Sequence, residues 1–439
     1  MNTDPRLTIA NSPMSPLQIV AVALTIGLNA LDGFDVLSMS FASPGILAEW
    51  GLTRAALGIV LSMELIGMAA GSLFLGGVAD RIGRRPTMLG CLVVMALGMF
   101  MVTTVTSLVQ LSVWRVVTGL GIGGMLAAIN AVAAEHSNAR RRNLSVSLMA
   151  IGYPIGAVLG GMVVAQLLKD GGNWRSIFYF GSGVTATFIP LVYFFVPETV
   201  SWLAQKRPEG ALDKINSILK RMGHAAASGL PVIAADARKK SVFDLFAPGL
   251  IGTTLLVAAA YFTHITTFYY ILKWVPQIVV DMGFQPSQAA GVLVWANVGG
   301  ALGGAALGLL TLKFSLKGLT MAVLLLSAVL VNVFGRGQAN LQELSLICAC
   351  VGFCTNGAIV GLYAIFAQAF PTHVRASGTG FAIGTGRGGS VLASIIAGYL
   401  FTAGLGLQTV SSIMALGSLI ALVCVIFLKL KPESVTSQQ

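Results

Sequence analysis

The sequence predicts an all-α membrane protein with twelve transmembrane helices in two pseudo-symmetric six-helix bundles. Three observations predict it. The chain is 56% hydrophobic and only 10% charged, whereas about a quarter of the residues of a soluble domain carry charge. Its apolar residues gather into runs long enough to cross a bilayer, which takes about 20 helical residues. A polar motif in the first half of the chain returns in the second.

In chain order, the apolar runs begin near Leu17, Ala55, Pro86, Leu108, Leu144 and Trp174. After a polar stretch, six more begin near Gly249, Pro286, Leu316, Leu341, Ala376 and Gln408. The expected organisation is a tail at 1–16, a bundle at 17–196, a central loop at 197–248, a second bundle at 249–430 and a tail at 431–439. Twelve crossings put both ends on one side of the membrane. Of the 27 lysines and arginines, 20 fall on that side. Four lie on the other (Arg54, Lys169, Arg175, Arg336) and three within runs (Arg115, Lys273, Arg387). Positive-inside bias therefore places both termini and the central loop in the cytoplasm.

The net charge of +11 is thus a topology signal, and no nucleic-acid partner is expected. The first sixteen residues lack the basic region, apolar core and cleavage site of a removable signal, so the first helix is expected to serve as the insertion signal. The five cysteines, Cys91, Cys348, Cys350, Cys354 and Cys424, fall in apolar runs without metal-ligand spacing. No disulfide framework, metal or cofactor is expected. In the central loop a short amphipathic helix is expected over Gly210 to Met222. The clusters Lys206-Arg207, Lys220-Arg221 and Arg238-Lys239-Lys240 would sit near lipid headgroups.

Asp32 and Asp35 lie inside the first run, three residues apart and so on one helix face. A carboxylate at membrane depth is costly and usually faces a bundle interior or a cavity. Two such acids point to a proton-coupled carrier, the alternative being an acid that pairs with an arginine to lock two helices. Arg115, in the fourth run, lies at similar depth, so an Asp35–Arg115 or Asp32–Arg115 pair is expected. Protonation would release the arginine, unless the bridge is permanent. Glu64, near the middle of the second run, is either a second proton site or an acid satisfied by snorkelling or a nearby hydroxyl.

After the second run comes Gly76-Xaa3-Asp80-Arg81-Xaa-Gly83-Arg84-Arg85. Gly76 and Gly77 suit close helix approach and Gly83 a tight turn. The arginines can pair with Glu135 or with helix carbonyls, so the segment reads either as a cytoplasmic gate or as a topology anchor. Its echo, Gly308 to Lys317, lies 232 residues on with Leu312 in place of the aspartate. Glu135 with Arg142 returns as Gln368 with Arg375 after 233 residues. Two motifs at nearly one interval indicate a duplicated six-helix unit.

Gly76 to Arg85, Arg115-Xaa3-Gly119-Xaa-Gly121 and Gly152-Tyr153-Pro154-Xaa-Gly156-Xaa3-Gly160-Gly161 together resemble the major facilitator superfamily over almost the whole chain. Within it, Leu31-Asp32-Gly33-Phe34-Asp35, Lys273-Trp274-Val275-Pro276 and Arg375-Ala376-Ser377-Gly378-Thr379-Gly380 through Gly389 resemble the aromatic acid:proton symporter family. The resemblance implies a bacterial inner-membrane importer of a monocyclic aromatic carboxylate such as a hydroxybenzoate. It would work by alternating access, with proton and substrate as partners and the monomer as the default. The degenerate second loop motif and Glu64 depart from that pattern.

A carboxylate substrate needs a cation. Arg387, about mid-depth among Gly386, Gly388 and Gly389, has the planar fork that suits one; the alternative is a packing role. Lys273 reads either as an interfacial snorkel or periplasmic-gate residue or as a ligand contact. Tyr153, Tyr261, Phe268, Tyr269 and Tyr270 are candidate ring contacts. His264 and Asn356 are candidate hydroxyl partners, with His264 otherwise a satisfied core histidine. No nucleophile triad, phosphate loop or nucleotide motif is visible, so an enzyme is not expected. An exporter of drug-like compounds and a transporter-like aromatic-acid sensor are the alternatives.

Overall fold

The computed structural model describes residues 4–231, 242–371 and 374–429. They form α1 (Pro5–Asn11), α2 (Pro16–Trp50), α3 (Arg54–Ile82), α4 (Arg84–Val102), α5 (Leu108–Glu135), α6 (Arg142–Lys169) and α7 (Trp174–Phe195). Two short helices follow, α8 (Val200–Lys206) and α9 (Ala211–Arg221). The second half holds α10 (Ile251–Asp281), α11 (Pro286–Leu310), α12 (Leu316–Gly335), α13 (Leu341–Ala369), α14 (Arg375–Thr402) and α15 (Leu407–Phe427). No strand occurs among the described residues. Each of the twelve long helices starts within two residues of the position read from hydropathy. Eleven are long and apolar enough to cross a bilayer. The twelfth, α14, is long enough at 28 residues, but its many glycines and Arg387 lower its hydropathy.

Local chemistry sets the ends. Ser15 and Gln18 form a reciprocal capping box with Pro16 in the first turn, and α2 stops at Gly51 in the left-handed conformation (φ 58°). Ser107, Asn173, Ser315 and Asn340 cap α5, α7, α12 and α13 through their side chains.

The chain forms two compact units. One holds Met1–Gly51 and Met63–Ala237, the other Leu52–Ser62 and Arg238–Gln439. In the first unit α2 packs on α6 and α7, and α4 on α5 and α7. In the second, α10 packs on α14 and α15, α12 on α15, and α11 on α13. Pairing of α2 with α6 matches that of α10 with α14, and α4 with α7 matches α12 with α15, as a duplicated six-helix unit requires. The central segment is more than a tether. Ile9 of α1 joins Val200 and Leu203 of α8 and Ile215 and Leu219 of α9 in a small apolar core of its own. Within the expected span Gly210 to Met222, α9 is the helix observed. Arg238-Lys239-Lys240 and the tail 431–439 lie outside the described residues.

Candidate functional site

Glycine brings α3 and α5 into backbone contact. A Cβ on Gly67 would stand 2.2 Å from the Val116 carbonyl, and one on Gly71 2.2 Å from that of Leu120. From the other side, a Cβ on Gly119 would stand 2.1 Å from the Glu64 carbonyl and one on Gly123 2.2 Å from that of Met68. Only glycine fits such a seam. The close approach expected of Gly76 and Gly77 is made here instead: among the described residues nothing lies within 4 Å of a Cβ on Gly77, and Gly76 meets only Ala127 at 3.8 Å.

The seam carries Glu64 to Arg115, one turn before Gly119. The ion pair at 2.5 Å is Arg115 Nη2 with Glu64 Oε1, both side chains wholly buried. This corrects the expected Asp–Arg115 pair. Arg115 reaches Asp35 only at the main chain, donating from Nη2 to its carbonyl at 3.1 Å, an oxygen that also accepts from Ser38 Oγ at 2.7 Å. The guanidinium lies over the Phe178 ring, 5.4 Å from its centroid, and among the described residues its Nε and Nη1 have no hydrogen-bond partner. Asp32 and Asp35 are buried, and among the described residues none of their four carboxyl oxygens has a hydrogen-bond partner. Their helix is held to α6 by a second backbone contact, Gly33 against the Tyr153 carbonyl. Of the three buried acids, Glu64 alone pairs with the guanidinium. An ionised carboxylate without a partner there carries a penalty of several kcal/mol, which a bound proton removes.

At the end of α3 the arginines divide the work. Arg84 pairs with Asp80 at 3.0 Å and Glu135 at 3.3 Å and donates to the Ala79 carbonyl. Arg85 donates to the Tyr193 carbonyl and lies over that ring. Arg81 and Arg142 are exposed, and Arg375 donates to the Phe370 carbonyl at 3.4 Å. The residue missed by reading the sequence is Glu198. Its carboxylate accepts from the main-chain N–H of Arg84 (3.0 Å), Arg85 (3.2 Å) and Thr199 (2.8 Å), filling the bare start of α4. Burial raises its pKa against the lowering effect of those bonds. Trp202 Nε1 adds a bond to the Asp80 carbonyl. Gly83 has φ 112° and ψ 162°, and a Cβ there would sit 2.2 Å from Glu198 Oε2. The only signal was an acid directly after Pro197, where the sixth apolar run ends.

In the second unit Arg387 is half-buried and makes no ion pair among the described residues. Its glycine neighbours do not simply clear space for a ligand. Gly386 backs onto the Tyr261 ring (2.2 Å for a Cβ) and Gly389 onto the Phe262 carbonyl (2.4 Å), which seats α14 on α10. Tyr261 Oη bonds Tyr363 Oη at 2.8 Å, and the Phe366 ring meets Tyr261 edge-on. His264 is committed to the core, with Nδ1 at 3.0 Å from Ser418 Oγ and Nε2 at 2.9 Å from the Thr355 carbonyl. Asn356 donates to the Gly300 carbonyl at 2.7 Å. Lys273 is wholly buried, which overturns the interfacial snorkel. Tyr269 is buried and Tyr153 half-buried.

Comparisons with known proteins show the family and the fold. A family profile described as Major Facilitator Superfamily matches residues 24–334. The chain is similar to the gallate transporter of Pseudomonas putida, 28% identical with 95% of this chain and 93% of that one covered. It is 29% identical to the 4-hydroxybenzoate transporter PcaK of Pseudomonas putida (95% and 94% covered). With the 3-(3-hydroxy-phenyl)propionate transporter of Escherichia coli it shares 31% identity (91% and 92% covered). The fold matches the xylose transporter XylE from E. coli, with a TM-score of 0.72, 16% identity and coverage of 95% and 98%.

Proposed function

Because the chain belongs to the major facilitator superfamily, we propose that it imports a monocyclic aromatic carboxylate together with protons, by alternating access. It is a multi-pass membrane protein of a bacterial transporter family, and a carrier rather than an enzyme. In this reading it works as a monomer in the inner membrane with both termini in the cytoplasm.

The observation that supports the proton coupling is a set of three buried acids, Asp32, Asp35 and Glu64, of which Glu64 holds Arg115. With one guanidinium for three buried acids, Glu64 holds the cation and the proton-loaded state leaves Asp32 and Asp35 neutral. Loss of a proton creates an anion that competes for Arg115, whose Nε and Nη1 have no hydrogen-bond partner among the described residues. Moving the guanidinium from Glu64 toward α2 changes what holds α2, α3 and α5 together, and so links the proton to helix rearrangement. Arg387 takes the substrate carboxylate, and the Asp80–Arg84–Glu135 cluster with Glu198 is the cytoplasmic latch. The aromatic acids in the names of the relatives support the substrate class, and their near-complete coverage supports carrying it over to this chain.

Proteoliposome uptake tests the reading. With an inside-alkaline pH gradient the wild type should accumulate a labelled aromatic acid above its outside concentration. Asp32→Asn and Asp35→Asn should each abolish accumulation while the protein still inserts. Accumulation at the wild-type rate in both variants would refute the proton role. Extrusion under the same gradient would refute import.

A further inference from the structure

The pair of tyrosine hydroxyls in the second unit is bonded in a way that leaves it unfinished. A phenol has one hydrogen to donate and lone pairs to accept with. The 2.8 Å bond between Tyr261 Oη and Tyr363 Oη uses one hydrogen. The other hydrogen has no acceptor among the described residues, and the oxygen that gave up its hydrogen keeps a free lone pair. One donor and one acceptor remain side by side. A ring hydroxyl, which both donates and accepts, complements that set. A bare ring does not.

The surroundings hold the pair still. Tyr261 is 5% exposed, clamped between the Gly386 backbone and the edge of Phe366, with ring centroids 5.5 Å apart. Tyr363 is 41% exposed and presents the pair outward. Tyr261 lies ten residues into α10 and Arg387 twelve into α14, about 15 and 18 Å along two helices that run in the same direction. Gly386, the residue before Arg387, packs on the Tyr261 ring, and Arg387 acts electrostatically on the Tyr261 hydroxyl, so the guanidinium and the phenols are neighbours.

We infer that the Tyr261–Tyr363 pair reads a hydroxyl on the ring of the acid whose carboxylate Arg387 takes. The preferred substrate is then a hydroxylated aromatic acid rather than an unsubstituted one. This rests on the import reading above and adds ring discrimination to it.

Equilibrium binding to the purified full-length protein, with benzoate, 3- and 4-hydroxybenzoate and their methoxy counterparts as probes, gives the test. The wild type should bind the better hydroxybenzoate about five- to tenfold more tightly than benzoate or the matching methoxybenzoate. Tyr261→Phe and Tyr363→Phe keep the rings and should each erase that preference while leaving benzoate within twofold of wild type. Equal losses for benzoate and hydroxybenzoate in the variants would overturn the inference, leaving the pair as packing. The ligand series in the wild type decides without any mutation, since methoxybenzoate binding as tightly as hydroxybenzoate also overturns it. If hydroxybenzoate and benzoate bind equally while both are imported, ring reading fails and import stands. If none of the acids binds, the import reading falls and takes this one with it.

Discussion

Gly83→Ala separates two energies at the start of α4. The φ of 112° and ψ of 162° at Gly83 lie in a region that is essentially glycine-only, where a side chain costs about 1–3 kcal/mol. The new Cβ would also meet Glu198 Oε2 at 2.2 Å, so the carboxylate must withdraw. It would then give up the Arg85 N–H and weaken its hold on the Arg84 N–H, each a hydrogen bond to a charged group worth about 1.5–3 kcal/mol. The expected loss is roughly 3–6 kcal/mol. Glu198→Ala alone should lose the hydrogen-bond part only. In a Glu198→Ala background, Gly83→Ala should cost only the backbone strain. The assay is a double-mutant cycle on unfolding in detergent, with uptake rates in proteoliposomes alongside. A coupling of about 1.5–3 kcal/mol is expected. If Gly83→Ala costs the same in both backgrounds, Glu198 does not rest against Gly83 and the proposed latch loses that contact.

Glu64→Gln should destabilise the protein by about 3–5 kcal/mol by leaving Arg115 buried without its carboxylate. Adding Arg115→Gln should recover part of that loss in an unfolding assay. Arg387→Lys keeps the charge but loses the fork and should weaken acid binding; Arg387→Ala should lose about ten- to a hundredfold, while the methyl ester of the same acid loses little further. Burial moves the His136 imidazole down to about 4 from its ordinary 6.5, and its Nε2 has no hydrogen-bond partner among the described residues. The unfolded chain therefore binds this proton first. The contribution of neutral His136 is fully present above about pH 6.5 and is lost as the pH falls toward about 4, by up to about 3 kcal/mol. Unfolding temperatures across that window should drop in the wild type and drop less in His136→Gln.

Where the helices begin is legible in sequence because each crossing must bond its own backbone in lipid, so the apolar runs show the start of every long helix to within two residues. Neither depth counting nor residue type could pair Arg115. Glu64, Asp32 and Asp35 all lie near its level, and position along a helix says nothing of which face meets which. The choice is made by Gly67, Gly71, Gly119 and Gly123, whose absent side chains carry no charge or pattern that points at Glu64. Glu198 was hidden for a related reason. Its partners are main-chain N–H groups, which every residue but proline has, so no matching side chain advertises the contact. The glycines around Arg387 were visible as a motif, but whether a glycine makes room for a ligand or for a neighbouring ring depends on the helix opposite, and here that is α10 with Tyr261 and Phe262.

The glycine seam between α3 and α5 also has a mechanical meaning. Where backbone lies on backbone, with gaps that would not admit a methyl group, sliding one helix along the other would drive Cα atoms into carbonyls. From Met63 onward, α3 is therefore keyed to α5 like two halves of a splint. The ions they carry, Glu64 and Arg115, cannot be pulled apart by shear between those two helices. Only two movements can re-partner the guanidinium: a swing of its own side chain, or a displacement of α2 past the splint. In the proposed coupling, a helix movement that answers a proton would therefore fall to α2, the helix that holds Asp32 and Asp35.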